Sequence, residues 1–181
     1  LIAEVTLIEQ LQNKSTKEKA FRALMSQYKE RLYWHIRKIV ISHDDADDVL
    51  QNTFIKIFRS IDNFKAESKL FSWMYRIATN EAITFINKKA KEKNIDISDM
   101  QQQLASNLSS DNWFSGDEIQ LILQKAIATL PQKQQLVFNM KYFDELKYDE
   151  ISEILDTSVG SLKASYHHAV KKIEEFVKNY N

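Results

Sequence analysis

The sequence predicts an all-α protein built from two helical domains, and three observations carry that prediction. Gly 2 and Pro 1 in 181 residues leave too little turn chemistry for a sheet-rich chain. Apolar residues recur at three- and four-residue spacing almost throughout. A polar tract over residues 94–116 separates two such periodic halves. The length allows one or two domains, each able to bury a core. Cys 0 excludes disulfides and thiolate metal sites and fits a reducing compartment. No run approaches the ~20 apolar residues that span a bilayer, and no secretory leader is read at the start, so a cytoplasmic location is expected.

The elements follow in order. A short helix is expected around Glu4 to Gln12. From Lys17 to Ile41, Phe21, Leu24, Met25, Tyr28, Leu32, His35, Ile36 and Ile39 form one apolar stripe, within which His35 reads as a packed core residue. The next helix starts near Asp44 or Asp45, whose carboxylates suit free helix N–H groups. Its stripe is Ala46, Val49, Leu50, Thr53, Phe54, Ile57, Phe58 and Ile61. A third long helix spans about Leu70 to Lys91, with Trp73, Met74, Ile77, Ala78, Phe85 and Ile86 inward. The tract 94–116 has no Lys or Arg and many Gln, Ser and Asn, so it reads as a linker, with Trp113 and Phe114 able to dock on something. Fully extended, its 23 residues would reach roughly 75 Å.

Beyond the linker, Ile119, Ile122, Leu123, Ala126, Ile127 and Leu130 are expected to pack a helix, and Pro131 opens the next, which carries Leu136, Val137 and Met140. Tyr148 to Ile173 then reads as two helices around a tight turn. Ile151, Ile154 and Leu155 make the first apolar face, Asp156, Thr157 and Ser158 break it, and Val159, Leu162, Tyr166, Ala169, Val170 and Ile173 make the second. The remaining positions of the second helix are small, hydrogen-bonding or basic: Ser161, Lys163, Ala164, Ser165, His167, His168, Lys171 and Lys172. A helix entering the DNA major groove needs that mix. Small residues permit approach, polar ones read base edges and basic ones hold phosphates. This is the pattern of a DNA-binding helix-turn-helix.

Charge distribution bears on that reading. Residues 1–93 carry 17 Lys+Arg against 12 Asp+Glu, and residues 94–181 carry 8 against 13. The helix-turn-helix therefore lies in the acidic half. Non-specific affinity is mostly phosphate neutralisation, so a partner is expected to deliver the chain to DNA.

DDADDVLQNTFIKIFRSI (44–61), FKAESKLFSWMYRIATN (64–80) and the helix-turn-helix after Leu130-Pro131, in that order and spacing, resemble the extracytoplasmic-function class of bacterial sigma factors. The resemblance covers about residues 17–177. It implies a region 2 bundle (1–93) and a region 4 helix-turn-helix (117–181) joined by the 94–116 linker, with no catalytic residue, metal or cofactor. It also implies binding to core RNA polymerase (the β′ coiled coil and the β flap), to promoter DNA, and to an anti-sigma factor, often membrane-anchored in this class.

Residue roles come from the same resemblance. Asp45, Asp47, Asp48, Gln51, Phe54 and Lys56 match the face that docks on the β′ coiled coil. Phe64, Lys65, Ser68, Lys69, Trp73, Tyr75 and Arg76 match the melting and minus-ten region. Their chemistry suits the task, because an aromatic face on which an unpaired base stacks is worth about 1–3 kcal/mol. Asn80 keeps the family pattern, but Thr84 and Asn87 replace its usual Asp and Arg; Lys88 follows at once. Ser158, Ser161, Lys163, Ala164, Ser165, His167, His168, Lys171 and Lys172 fall in minus-thirty-five recognition, although Ser165 stands where Arg is common. The two promoter elements lie about one and a half turns apart, ~50 Å at ~34 Å per turn, within the linker's reach.

Three other readings compete. Asp44, Asp45 and Asp48 spell the DDxxD of Mg²⁺-dependent helical isoprenoid synthases, which would require these side chains to face a cavity. His167 and His168 are adjacent and point about 100° apart on a helix, a poor metal pair. A regulator with a helical sensory domain should carry a ligand pocket in the amino-terminal half, which instead pairs aromatics with a basic helix.

Overall fold

In the computed structural model the described residues are 3–110 and 118–180, and every regular element among them is helical. In order these are α1 (Glu4–Gln12), α2 (Lys17–Val40), α3 (His43–Ser60), a 3-10 turn (Ile61–Asn63), α4 (Leu70–Glu92), α5 (Ile97–Ser106), a 3-10 turn (Asn107–Ser110), α6 (Glu118–Ala128), α7 (Gln132–Tyr142), α8 (Tyr148–Leu155) and α9 (Val159–Lys178).

Helices α2, α3 and α4 bury a common core because each carries one apolar stripe. Leu24, Leu32, Ile36 and Val40 of α2 meet Ala46, Val49 and Ile57 of α3 and Leu70, Met74 and Ala78 of α4. His35 is buried, as expected of a stripe residue. Helix α1 closes one end with Leu7 and Leu11, and it anchors the loop beyond α3. Gln12 Nε2 donates to the carbonyls of Ile61 at 3.1 Å and Phe64 at 2.8 Å. Glu4 Oε1 accepts the Leu70 N–H at 3.0 Å, so a carboxylate from α1 satisfies a free donor at the start of α4.

The start of α3 differs from expectation. Its cap is Ser42, whose side chain accepts the Asp45 N–H, and Asp44 and Asp45 lie inside the first turn. There they still oppose the positive end of the helix dipole.

The carboxy-terminal helices pack a second cluster from Ala126, Ile127, Leu130, Phe138, Ala169 and Ile173. Phe138 stacks against Tyr142 and Tyr166, with ring centres 5.2 and 5.8 Å away. Ile119 does not join this core: it is 79 % exposed, about two turns before the buried residues of α6 begin at Ala126.

The polar tract is not extended throughout. Its apolar minority, Met100, Ala105 and Leu108, finds burial against both halves. Met100 packs on Ile86 and Ala90 of α4, and Ala105 and Leu108 pack on Ala128 of α6. Gln135 Nε2 donates to Gln101 Oε1 at 2.9 Å within the same contact. Tertiary burial thus supplies the helix-forming energy that the composition lacks. Trp113 and Phe114 lie outside the described residues. With α5 intact, ten residues rise only ~15 Å, so the tract reaches roughly 60 Å rather than 75.

The two halves also share a core. Leu136, Val137 and Met140 of α7, Leu146, and Ile151 and Ile154 of α8 continue the cluster of α2–α4.

Candidate polymerase and nucleic-acid interface

The expected docking residues lie on α3. Asp47, Asp48 and Gln51 are exposed one turn apart, as three- and four-residue spacing dictates. Asp45 is half-buried and pairs with Lys89 of α4, and Lys56 pairs with Glu81. Phe54 must be corrected, since it is 6 % exposed and turns inward with the apolar stripe. Its edge, with Phe21, Met25, Leu50, Ile55 and Phe58, lines an open apolar groove of about 730 Å³ beside Gln51. Ile55 is 48 % exposed at its rim, a position that the spacing argument passed over. Asp44 and Asp48 face solvent, an arrangement unlike the cavity-facing cation trap of a DDxxD enzyme.

The residues expected at the minus-ten element divide into two groups. Lys65, Lys69, Arg76, Asn80, Thr84, Asn87 and Lys88 are exposed, and from Arg76 onward they form a single stripe along α4. Ser68 and Trp73 are half-buried. Phe64 and Tyr75 are corrections. Phe64 is 8 % exposed, its ring 4.9 Å from that of Trp73, and is wedged under the loop. Tyr75 is fully buried, stacked at 4.3 Å on Phe71 and at 4.4 Å on His35, with its hydroxyl donating to the Arg31 carbonyl. Burial pushes its hydroxyl well above the usual phenol range, and the nearby Asp144 charge adds to that. Neither ring is free to receive a flipped base, which leaves Trp73 as the partly open aromatic. Arg31, stacked 4.2 Å over the Phe71 ring, has no signal in the spacing.

The helix-turn-helix forms as its pattern demands. Asp156 turns the chain in the left-handed region, φ 50°, and Ser158 caps α9 by accepting the Ser161 N–H. Gly160, Lys163, Ala164, His167, His168, Lys171 and Lys172 make one exposed stripe, while Leu162, Ala169 and Ile173 are buried opposite. Nothing lies within 4 Å of where a Gly160 side chain would begin, so the amino end of the stripe is open to close approach. Ser161 and Ser165 sit on the shoulder, half-buried, and Ser161 Oγ accepts from Lys133 Nζ.

Family models match in the same order as the three motifs: sigma-70 region 2 over residues 24–92, and sigma-70 region 4 over residues 120–173. The chain belongs to the sigma-70 family of sigma factors, in its extracytoplasmic-function class. This sigma factor is 29 % identical to the ECF RNA polymerase sigma-E factor of Haemophilus influenzae over 185 residues, covering 98 % of this chain and 96 % of that protein. It is 29 % identical to the ECF RNA polymerase sigma factor SigW of Bacillus subtilis over 176 residues, covering 93 % and 94 %. Its fold resembles that of CnrH, solved in complex with the cytosolic domain of CnrY: TM-score 0.73, 18 % identity, 99 % of this chain and 100 % of that one. It also resembles the sigma factor RpoE of Bartonella quintana, solved in complex with the anti-sigma factor NepR: TM-score 0.68, 19 % identity, 90 % and 99 %.

One constellation in the sigma factor has no counterpart in the motifs. Asp144, on the loop between α7 and α8, is held by His35 Nδ1 at 3.1 Å and by Lys38 Nζ at 2.5 Å. His35 Nε2 lies 2.8 Å from Thr79 Oγ1 of α4. Burial acts to raise the Asp144 carboxyl, but the hydrogen bonds and charges of His35 and Lys38 outweigh it and hold the group below the usual range. A depressed carboxyl contributes stability that is complete above its unfolded value of ~3.9 and is lost as pH falls through the folded one. Thermal melts between pH 5 and 2.5 should therefore show wild type losing stability more steeply than Asp144→Asn below pH ~4. Parallel curves would mean that Asp144 carries no charge-dependent stability.

Proposed function

We propose that this sigma factor binds core RNA polymerase in the cytoplasm, directs it to promoters, and acts without catalytic chemistry of its own. Residues 1–93 take the region 2 role and 117–181 the region 4 role, with 94–116 between them. The β′ coiled coil docks on α3 through Asp47, Asp48 and Gln51, with the rim of the Phe54 groove beside them, and the β flap meets region 4. Lys65, Lys69, Trp73, Arg76, Asn80, Thr84, Asn87 and Lys88 contact the minus-ten element. Gly160 opens the way for Lys163, Ala164, His167 and His168 to reach minus-thirty-five base edges, while Lys171 and Lys172 hold phosphates. An anti-sigma factor restrains the chain.

The carrying observation is that two exposed polar stripes, on α4 and on α9, lie within the two matched regions of one chain. Run-off transcription with core polymerase from the source organism tests the reading. Promoter-dependent transcripts should appear only when this chain is added, and none at any promoter of that genome would sink it.

Lys163→Ala separates base reading from phosphate holding. Lys163 is exposed mid-stripe, with its ammonium 5.8 Å from the Tyr148 ring. If it reads a base, promoter binding by the holoenzyme weakens by about 1–3 kcal/mol and the preferred minus-thirty-five sequence changes. A uniform loss across sequences, with the salt slope reduced by about one, would assign it to phosphate instead.

A further inference from the structure

Helix α1 lies wholly before the region 2 match, which begins at residue 24, yet its side chains fasten both ends of the loop that carries Lys65, Ser68 and Lys69. At the entry, the Gln12 amide donates to two carbonyls at once, those of Ile61 at 3.1 Å and Phe64 at 2.8 Å. Just past α1, Lys17 holds Asp62 at 2.7 Å and lies 4.5 Å over the Phe58 ring. At the exit, Lys69 is the cap residue of α4 but makes no side-chain capping bond, and the Leu70 N–H goes instead to Glu4 Oε1 at 3.0 Å. Leu7 and Leu11, buried on the inner face of α1, anchor the helix from which Glu4 and Gln12 reach the loop.

Between these fastenings the loop is bare. Among the described residues, no hydrogen bond reaches Lys65, Ala66, Glu67 or Ser68. The chain nevertheless holds a strained shape there, because Ala66 sits in the left-handed region at φ 55°. Strain of that kind persists only where the surroundings impose it, and here the imposed points are the two ends. Phe64 backs the loop, its ring 4.9 Å from that of half-buried Trp73. The Gln12 bond to the Phe64 carbonyl therefore fixes the residue that supports the partly open aromatic of this region.

We propose that Glu4 and Gln12 are positioning residues for minus-ten reading: they brace loop 64–69 beside Trp73 as a preformed seat for one unpaired base. The proposal rests on the assignment of Lys65, Ser68 and Trp73 to the minus-ten element. Its physical reason is preorganisation. A slack loop would lose backbone freedom each time a base entered, whereas a braced loop has already lost it on folding. A fixed loop also confines its donors and acceptors to one arrangement, so a wrong base leaves some of them unpaired and is rejected.

The test is a selection with holoenzyme made from core RNA polymerase and the full chain. It is offered fork-junction DNA, double-stranded upstream and single-stranded with random sequence across the minus-ten stretch, and bound and unbound strands are sequenced. Base preference at each position is compared for wild type, Gln12→Ala, Glu4→Ala, Glu4→Gln and a loop double variant, Lys65→Ala with Ser68→Ala. Gln12→Ala and Glu4→Ala should each lower the preference at one position by about 3- to 10-fold, the worth of a hydrogen bond, and leave the other positions as they were. Glu4→Gln keeps an oxygen for the Leu70 N–H and should retain the wild-type preference. A variant that merely folds less well reduces the amount of active holoenzyme for all sequences alike, so the ratio between bases at one position does not register it.

Lost preference in the loop double variant, with none lost in Gln12→Ala and Glu4→Ala, overturns the brace and leaves the loop's minus-ten role standing. An equal loss at every position also overturns it, since a seat for one base acts at one position. A loss in Glu4→Gln as large as that in Glu4→Ala removes the Leu70 bond as the cause and overturns the part of Glu4. Unchanged preference in every variant, the loop double variant included, overturns the minus-ten assignment of the loop and the brace with it.

Discussion

Asp48→Arg combined with Gln51→Ala should weaken binding to core RNA polymerase by about 2–3 kcal/mol, roughly 30- to 150-fold. Both side chains are exposed on one face of α3, three residues apart, so neither change reaches the buried stripe of Val49, Leu50 and Ile57. Reversing one charge on a polar docking face adds like-charge repulsion to the lost contact, which is why the pair should exceed the effect of an ordinary surface substitution. The measurement is a titration of labelled chain with core enzyme, with circular dichroism confirming unchanged helicity. Full affinity with normal helicity would remove these two residues from the interface.

Tyr75→Ala should cost about 3–5 kcal/mol of folding stability, read from the urea midpoint, because it empties a fully buried aromatic site against His35 and Phe71. Tyr75→Phe should be mild, about 1 kcal/mol or less, since it forfeits only the long 3.4 Å bond to the Arg31 carbonyl. The contrast matters for function. If Tyr75 is a core residue, the Phe variant retains full promoter melting. Were it a base-stacking residue, the Ala variant would fold normally and fail in melting.

The periodicity of the sequence alone determined helix type and extent. The stripes over α2, α3, α4 and α9 place each helix within a few residues of its observed bounds, because a 3.6-residue period permits only one buried face per helix. The same argument located the exposed stripe of α9, since whatever the buried face excludes is left to solvent, whereas Asp47, Asp48 and Gln51 of α3, also exposed, were singled out by the family resemblance.

Periodicity was silent where a residue's fate depends on a neighbour distant in the chain. Phe64 and Tyr75 have the chemistry of base-stacking residues, yet Gln12, Arg31 and His35 enclose them. Ile119 fits the α6 stripe but lies beyond the edge of the surface that covers it. The polar tract could form α5 only because both halves offer burial to Met100, Ala105 and Leu108. Asp144, Glu150 and His35 carry no motif at all. They are 109 and 81 residues from their partners in the pairs His35–Asp144 and Lys69–Glu150, and only the packing of α7 and α8 onto α2 and α4 brings opposite charges close enough to act on one another. Local spacing decides which face of a helix is buried, and long-range packing decides what that face, and the charges at its edge, are buried against.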